Sequence, residues 1–308
     1  MRILFLGTPA FAAHPLRRLV EAGHEIVAVV TQPDRPAGRS RDPQPPPVKQ
    51  AALELGLPVL QPETLRDEAV VEELRALRPE VGVVAAYGEI LRRAVLQIPP
   101  LGYLNIHPSL LPLYRGPAPV AGAILAGDTT TGVSVMVLER AMDAGPILAQ
   151  ATVPLDAGAR AGALTDELFL LGAALLVGVL PRYAAGEIVP QPQDHARATF
   201  TTMLQKESGR LDWSLPAVVL ERSVRAYDPW PGTFTTVDER PLKILRASVV
   251  EGDPERKPSM VLPGPDLVVA TGAGGLRLDE VQPAGKRPMP GRDWRRGQPH
   301  LDGTLLGS

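Results

Sequence analysis

Apolar strands and helical patterns alternate along the first half of the chain. Short runs rich in Val, Ile and Leu predict strands at 2–6, 25–31, 81–87 and 101–107. Between them, apolar residues recur with helical spacing at 9–22, 48–56 and 67–79. Near-continuous apolar strands that alternate with helices are typical of a mostly parallel sheet covered on both faces. The pattern therefore predicts an α/β, Rossmann-like domain in this half of the chain.

The pattern changes after a long helix that is predicted at 161–186. Residues 187–200 contain prolines and polar side chains without a sustained period, which is typical of a linker. One amphipathic segment follows at 214–227, and then short strand-like runs are separated by turn residues, which predicts a small β-barrel or sandwich. We therefore predict a first domain at 1–189, a linker at 190–206 and a smaller β-barrel domain at 207–308.

Composition narrows the class of protein. The 308 residues are 44% hydrophobic and 21% charged, which is ordinary globular composition and enough chain for two domains. A net charge of −2 gives no overall attraction to nucleic acid or membrane, so any basic surface must be local. The absence of cysteine excludes disulfides and thiolate metal sites. The five histidines are scattered without paired spacing, so we predict no metal site.

No part of the sequence predicts a membrane segment. The longest apolar stretch, 168–180, is too short to span a bilayer, and we interpret it as part of one buried helix. The first residues lack the long apolar run and the small-residue cleavage site of a secretory signal. We therefore expect a cytoplasmic protein. We also expect a monomer, although nothing in the sequence determines the oligomeric state.

Two polar residues end the predicted strand at 101–107. Side chains two residues apart lie on the same face of a strand, so Asn105 and His107 project together. Ligands bind beyond the carboxyl ends of parallel strands, where Gly7, Thr31 and Tyr87 should also lie. An amide and an imidazole at that edge can stabilise a carbonyl oxygen that gains charge, by about 3–4 kcal/mol each. The alternative is structural, with His107 capping the strand and Asn105 satisfying a turn.

An aspartate follows the next strand-like run, TGVSVMVLE. In the segment RAMDAGPIL (140–148), Asp143 should lie at a strand-to-strand corner, where its carboxylate can orient His107 and take up a proton through water. Aspartate before Ala-Gly is also a common turn residue. Asp143 alone therefore leaves both interpretations open.

Other familiar chemistries lack their sequence signatures. The segment GTPAFA follows the first strand but lacks the three-glycine spacing that brings a backbone close to a pyrophosphate, and no Walker lysine motif occurs. These absences argue against a nicotinamide oxidoreductase. Ser109 lacks the glycine elbow of a nucleophilic serine, so we interpret it as a turn serine that lines a pocket.

Several longer segments together resemble one enzyme family. They are FLGTPAFA (5–12), TQPDRPAGR (31–39), AAYGEIL (85–91), NIHPSLLPLYRGPAP (105–119), MDAGPI (142–147), DWS with RAYDPWPGT (212–233) and VQPAGKRPM (281–289). They are similar to the methionyl-tRNA formyltransferases, a branch of the folate-dependent formyltransferases. The resemblance implies formyl transfer from 10-formyltetrahydrofolate to methionyl initiator tRNA for translation initiation. It also implies a C-terminal barrel that resembles an OB-fold.

The resemblance assigns roles to individual residues. The family's catalytic residues correspond to Asn105 and His107, which would stabilise the tetrahedral oxyanion, and to Asp143, which would orient His107 and assist proton transfer. The family's folate contacts correspond to the end of the strand predicted at 81–87, with the loop that follows it, and to the SLLP turn at 109–112. These residues are Tyr87, Gly88, Ile90, Leu91, Ser109, Leu110, Leu111 and Pro112.

Two basic segments are expected to contact tRNA. The resemblance implies that the loop 32–49 reaches the acceptor end, and this loop carries Arg35, Arg39 and Arg41. It has fewer lysines and more prolines than familiar relatives, so its contacts beyond Arg39 are open. The second segment, 285–297, has five cationic residues to one acidic, including Lys286 and Arg287. The alternative for both segments is a solvated charged surface.

Rival functions share parts of these features. A related formyltransferase would act on a glycinamide ribonucleotide, and should lack the second domain, or on an amino-sugar nucleotide, and should lack the basic loop. A tRNA-binding module without catalysis would not need Asn105, His107 and Asp143 together.

Overall fold

The computed structural model describes residues 1–36, 42–253 and 255–307, and it divides the chain into two compact units. The first unit comprises Met1–Pro119, Thr130–Pro154 and Thr165–Thr201. The second comprises Val120–Thr129, Leu155–Leu164 and Thr202–Ser308. Two short segments from within the predicted first domain thus belong to the second unit. The boundaries at 189 and 207 stay a prediction.

A seven-stranded sheet forms the centre of the first unit. The strands up to residue 154 are β1 Arg2–Gly7, β2 Glu25–Val30, β3 Arg35–Pro36, β4 Pro43–Gln44, β5 Val59–Leu60, β6 Val81–Ala85, β7 Tyr103–His107, β8 Thr130–Val137 and β9 Ile147–Pro154. The strand order of the sheet is β5-β2-β1-β6-β7-β8-β9. Neighbours from β5 to β7 are parallel, whereas β8 and β9 are added in antiparallel fashion. The predicted mostly parallel, Rossmann-like sheet is confirmed.

Helices cover both faces of this sheet, as the apolar strands require. The helices up to residue 184 are α1 Ala13–Glu21, α2 Pro47–Glu54, α3 Glu68–Ala76, α4 Arg93–Leu96, α5 Pro119–Ala126 and α6 Ala161–Ala184, of which α5 belongs from Val120 onwards to the second unit. Successive residues of β1 point to opposite faces. Ile3 and Phe5 pack in one hydrophobic cluster with residues of α1, α2 and α6. Leu4 and Leu6 pack in a second cluster with residues of α3 and α4.

Helix α6 is longer than the apolar run that predicted it. It has 24 residues, so by length and composition it is a candidate to cross a membrane. Its side chains Phe169, Leu176 and Leu180 are instead buried in the cluster around β1. This packing gives the apolar run a place in the core of the first unit.

The second unit contains a curled antiparallel sheet that forms a half-barrel, which confirms the predicted smaller β domain. Its elements are α7 Ala217–Ala226, β10 Thr233–Val237, β11 Arg240–Val250, β12 Val268–Ala270, β13 Gly275–Pro283, β14 Met289–Pro290 and α8 Gly291–Arg296. The order is β10-β11-β13-β12, with β14 on β13. Its core includes Trp213, Leu220 and Val281.

Residues 191–201, which composition predicts to be part of a linker, are held against the first unit. Gln191 forms an antiparallel bridge with Ile147, and Phe200 forms a parallel bridge with Arg115. These contacts use irregularly spaced backbone groups, and such spacing leaves no period in the sequence. We call residues 191–201 the strap.

Candidate active site

Four strands of the first unit deliver their carboxyl ends to one edge of the sheet. Strand β1 pairs in parallel with β2 and with β6, and β6 pairs in parallel with β7, so all four strands run in the same direction. Gly7 and His107 are the last residues of β1 and β7, and Thr31 and Tyr87 follow the ends of β2 and β6. The predicted edge is therefore confirmed. It is the position at which α/β sheets bind ligands.

His107 is buried at this edge, and its two ring nitrogens have different partners. Nε2 lies 3.0 Å from the carbonyl oxygen of Tyr114. A carbonyl oxygen only accepts hydrogen bonds, so Nε2 carries a proton and donates it. Nδ1 faces Asp143, whose Oδ2 is 3.7 Å away. In the neutral ring, Nδ1 is thus an acceptor, and it is the nitrogen that can take up a proton.

The surroundings of His107 favour the neutral ring. Burial lowers the pKa of His107, and this effect outweighs the opposing influence of the Asp143 carboxylate and the Tyr114 carbonyl. The charge of Arg115 lowers the same pKa further. Because the ordinary value is about 6.5, the ring is mainly neutral at neutral pH.

Asp143 is held at the corner between β8 and β9 in a strained backbone conformation. Its φ is +48°, in the left-handed region that few side chains adopt without support. The backbone N–H of Gly116 donates to its Oδ2 over 2.8 Å. Two further residues at this site, Ala86 and Tyr114, also have positive φ. Such strain is typical of functional sites.

The Asn105 amide is buried but has no protein partner in the described residues. The residue is 8% exposed, and no described group hydrogen-bonds to its side chain. With no protein partner, the amide N–H groups can donate to a ligand atom. The alternative role, satisfying a turn, has no supporting hydrogen bond in the described part of the chain.

The loop after β6 combines buried and exposed groups. Tyr87 and Leu91 are buried, whereas Gly88 and Ile90 are exposed. Burial, with the nearby Glu89 carboxylate, raises the pKa of Tyr87 to about 12, so its hydroxyl stays protonated. The Thr8 hydroxyl donates to the Tyr87 carbonyl over 2.8 Å and ties the loop to β1.

The SLLP turn is fixed by two residues that sequence analysis did not single out. Ser134 Oγ donates to the Ser109 carbonyl over 2.6 Å and accepts from the Leu111 N–H. Gln150 Nε2 donates to the Leu111 carbonyl and to Ser134 Oγ. In the sequence, the feature that could have identified Ser134 and Gln150 is that both are polar residues within mostly apolar strands. In the sheet they are paired, one on β8 and one on β9. The Ser109 hydroxyl itself donates to the Leu113 carbonyl, as a turn serine does.

The turn also positions its other members. Leu110 packs directly against the backbone of Gly132, where a Cβ would lie 2.6 Å from the leucine side chain. Pro112 follows Leu111 through a cis peptide bond, and its carbonyl accepts from the Thr199 N–H of the strap.

The residues predicted to contact tRNA fall in both units. Arg35 is exposed on β3 of the first unit, and Lys286 and Arg287 are exposed between β13 and β14 of the second. Arg39 and Arg41 lie outside the described residues. Lys49, the last residue of the loop 32–49, forms an ion pair within the protein, in which its ammonium lies 2.7 Å from the Asp34 carboxylate.

Two other observations concern the number of exposed charges in the segment 285–297 and the presence of a metal site. Arg295 is buried and pairs with Asp302, so it contributes no exposed charge to the segment 285–297. Within the described ranges, no group of three or more His, Cys, Asp or Glu side chains is placed to hold a metal ion.

The fold and this arrangement define an α/β protein with a polar site at the carboxyl edge of its sheet. The formyl transferase family model matches residues 1–180, and the model of the formyl transferase C-terminal domain matches residues 203–299. The chain belongs to the formyl transferase family.

Individual relatives agree with this membership. The chain is 67% identical to the methionyl-tRNA formyltransferase of Chloroflexus aurantiacus, covering 100% of both chains. It is 62% identical to that of Roseiflexus castenholzii, covering 100% of this chain and 99% of the relative. Among solved structures, HypX from Aquifex aeolicus in complex with tetrahydrofolic acid is similar, with a TM-score of 0.63 and 20% identity. That likeness covers 99% of this chain but 48% of HypX, so the chain spans about half of that protein's length.

Proposed function

We propose that this protein transfers the formyl group of 10-formyltetrahydrofolate to the α-amino group of methionyl initiator tRNA. One observation carries the proposal. Asn105 and His107 lie two residues apart on β7 at the carboxyl edge of the sheet, and Asp143 is 3.7 Å from His107, in a chain that is similar over its full length to methionyl-tRNA formyltransferases. The product, N-formylmethionyl-tRNA, serves translation initiation. We expect the enzyme to act in the cytoplasm as a monomer without a membrane partner.

The geometry supports a division of labour among the three side chains. The amine of methionyl-tRNA attacks the formyl carbon, a C–N bond forms, and the formyl oxygen becomes negative. Asn105 donates to that oxygen through its unpartnered amide. His107 accepts the amine proton at Nδ1, because its Nε2–H is committed to the Tyr114 carbonyl.

Proton uptake creates a second stabilising group. Once protonated, His107 is an imidazolium whose charge stabilises the oxyanion, and Asp143 stabilises the imidazolium from 3.7 Å. The oxyanion then re-forms the carbonyl, the bond from carbon to the folate N10 breaks, and that nitrogen takes up a proton. His107 can return its proton in this step and so regains its neutral form.

The loop after β6 and the SLLP turn suit the formyl donor. The family's donor is a pterin with hydrogen-bonding edges. The exposed backbone at Gly88, the apolar Ile90 and the fixed turn of Ser109 to Pro112 lie after strands that end at the same edge. We assign Tyr87, Gly88, Ile90, Leu91, Ser109, Leu110, Leu111 and Pro112 to the folate site.

The function is tested by following labelled formyl from 10-formyltetrahydrofolate. We expect label on methionyl initiator tRNA, and none on glycinamide ribonucleotide, an amino-sugar nucleotide or uncharged tRNA. Label on either small acceptor at a comparable kcat/KM would identify the corresponding rival formyltransferase. No transfer to any of the acceptors would exclude formyl transfer.

The exposed pair Lys286 and Arg287 supports tRNA contact through phosphates. We assign tRNA binding to this pair and to Arg35, Arg39 and Arg41. Replacing both of the pair, as K286Q/R287Q, should weaken tRNA binding and make its salt dependence shallower by about two phosphate contacts, because each contact releases counterions. The dissociation constant is measured from 50 to 200 mM salt, a range in which phosphate contacts act strongly.

A matched control separates specific contact from general charge. Arg256 and Lys257 are another exposed, adjacent cationic pair of the same unit. The variant R256Q/K257Q should bind tRNA with the affinity and salt slope of the wild type. Equal loss in both variants would mean that only net charge matters and would remove Lys286 and Arg287 from the interface.

A further inference from the structure

The strap contains one buried polar side chain among exposed neighbours. Gln193 is 6% exposed, whereas Gln191, Pro192, Asp194 and His195 are all exposed. A buried amide must have both its donors and its acceptor satisfied to be stable. The partners of Gln193 connect the strap to the candidate active site.

The donor end of the Gln193 amide holds the corner that carries Asp143. Nε2 donates to the carbonyl of Asp143 over 2.8 Å and to the carbonyl of Gly145 over 2.7 Å. These two carbonyls flank Ala144. Their common donor therefore opposes rotation of the backbone at Asp143, whose φ of +48° needs such support.

The acceptor end of the same amide faces a buried cation. Arg115 is 4% exposed, and its Nε and Nη2 donate to Gln193 Oε1 over 3.1 and 2.7 Å. Nη2 also lies 3.0 Å from His195 Nδ1, and the guanidinium carbon is 5.9 Å from the Phe200 ring centroid. No carboxylate in the described ranges forms an ion pair with Arg115.

Arg115 determines which way the amide points. A guanidinium only donates, so it requires the oxygen of Gln193 on its side. The NH2 group is thereby directed at the two carbonyls. In the reverse orientation, Oε1 would face the oxygens of Asp143 and Gly145 and Nε2 would face the guanidinium, so every contact would be repulsive.

The backbone on either side of Arg115 completes the connection. Arg115 exchanges backbone hydrogen bonds with Thr199 and Thr201 of the strap over 2.9 and 2.8 Å. Its neighbour Gly116 donates to the Asp143 carboxylate. A Cβ on Gly116 would lie 2.6 Å from the Thr201 carbonyl, so strap and loop are in close contact there.

We propose that Gln193 is a positioning residue of the active site, which holds the Asp143 carboxylate towards His107 and is itself oriented by Arg115. The inference rests on the proposed function, because it gives Asp143 a part in formyl transfer. It gives this one side chain of the strap a part in the geometry of the catalytic centre. Neither residue needs to touch the substrates.

The variant Q193E separates positioning from packing. Glutamate keeps the size of the side chain and an acceptor for Arg115, but it presents a second oxygen to the carbonyls of Asp143 and Gly145. We expect kcat to fall about 10²-fold, the loss that a small misplacement of a catalytic group causes. Because the substrates are bound elsewhere, KM for both should stay within about twofold.

A purely structural strap predicts the opposite result. Glutamate would give the buried Arg115 a carboxylate partner and hold the strap at least as firmly. A kcat near that of the wild type would therefore overturn the proposal. The control is Q191E, which makes the same change at an exposed position two residues away and should leave kcat and KM unchanged.

A second variant keeps the test decisive if Q193E does not fold, as judged by thermal unfolding. The variant R115M removes the donors that orient Gln193 and leaves the donors of Gln193 itself. We expect a fall in kcat of about tenfold without a matching change in KM. Wild-type kcat in R115M would overturn the role of Arg115 and with it the proposal. An inactive wild type would instead reject the proposed function.

Discussion

Replacing His107 with alanine should reduce formyl transfer by about 10²–10⁴-fold, the usual cost of removing a positioned acid–base group. The imidazole is the group placed to accept the amine proton, because its Nδ1 faces Asp143 while its Nε2 is committed to Tyr114. The loss should appear in kcat under saturating 10-formyltetrahydrofolate. Affinity for methionyl-tRNA should be close to that of the wild type, since the buried ring is assigned to the reaction step.

Two measurements accompany this variant. His14 is a partly exposed histidine of the same unit that pairs with Asp166, so H14A controls for the loss of an imidazole as such. It should retain the wild-type kcat. If kcat of H107A were within about threefold of the wild-type value, His107 would have no part in the mechanism. A loss that small is far below the loss expected on removing an acid–base group.

Replacing Asp143 with asparagine should be about as severe, although the side chain keeps its size. The amide oxygen can still accept from the Gly116 N–H, so we expect the fold to be retained. The same oxygen faces His107 Nδ1, so the variant keeps the hydrogen bond to Gly116 but loses the negative charge that draws a proton to that nitrogen. The imidazolium also loses the carboxylate that stabilises it. We expect kcat to fall about 10²–10⁴-fold.

The pH dependence of D143N gives a second readout. The Asp143 charge raises the pKa of His107, so its removal lowers that pKa further below the ordinary value. The charge of Arg115, which acts in the same lowering direction, remains. Activity that requires the neutral ring rises as pH passes the His107 pKa. The acidic limb of kcat/KM should therefore move to lower pH, while the maximum stays depressed.

A different profile would contradict this role. If kcat of D143N reached the wild-type value at raised pH, Asp143 would be only a turn residue. Thermal unfolding of D143N should match that of the wild type, which separates loss of chemistry from loss of structure.

Local sequence determined the elements of the sheet and the edge at which the site lies. Near-continuous apolar runs such as RILFL and EIVAVV bury both faces of a strand, so their lengths and order indicate a covered parallel sheet. Residues that end such strands, including His107, fall at one edge because parallel strands share their direction. Asn105 and His107 share a face because side chains alternate along a strand. Each of these inferences depends on the period of a single strand or on the order of the strands.

Hydrogen-bonding partners and protonation were decided only by the tertiary structure. The proton of His107 on Nε2 depends on the Tyr114 carbonyl, and the orientation of Asp143 depends on Gly116 and Gln193, which is 50 residues away in the chain. Nothing in the proline-rich composition of 187–200 distinguishes the buried Gln193 from the exposed Gln191 two residues earlier. Burial and partner choice are properties of the folded chain, since they depend on which distant backbone groups reach the same point in space. The sequence therefore determined which residues reach the sheet edge, and the fold decided which atom of each is available for chemistry.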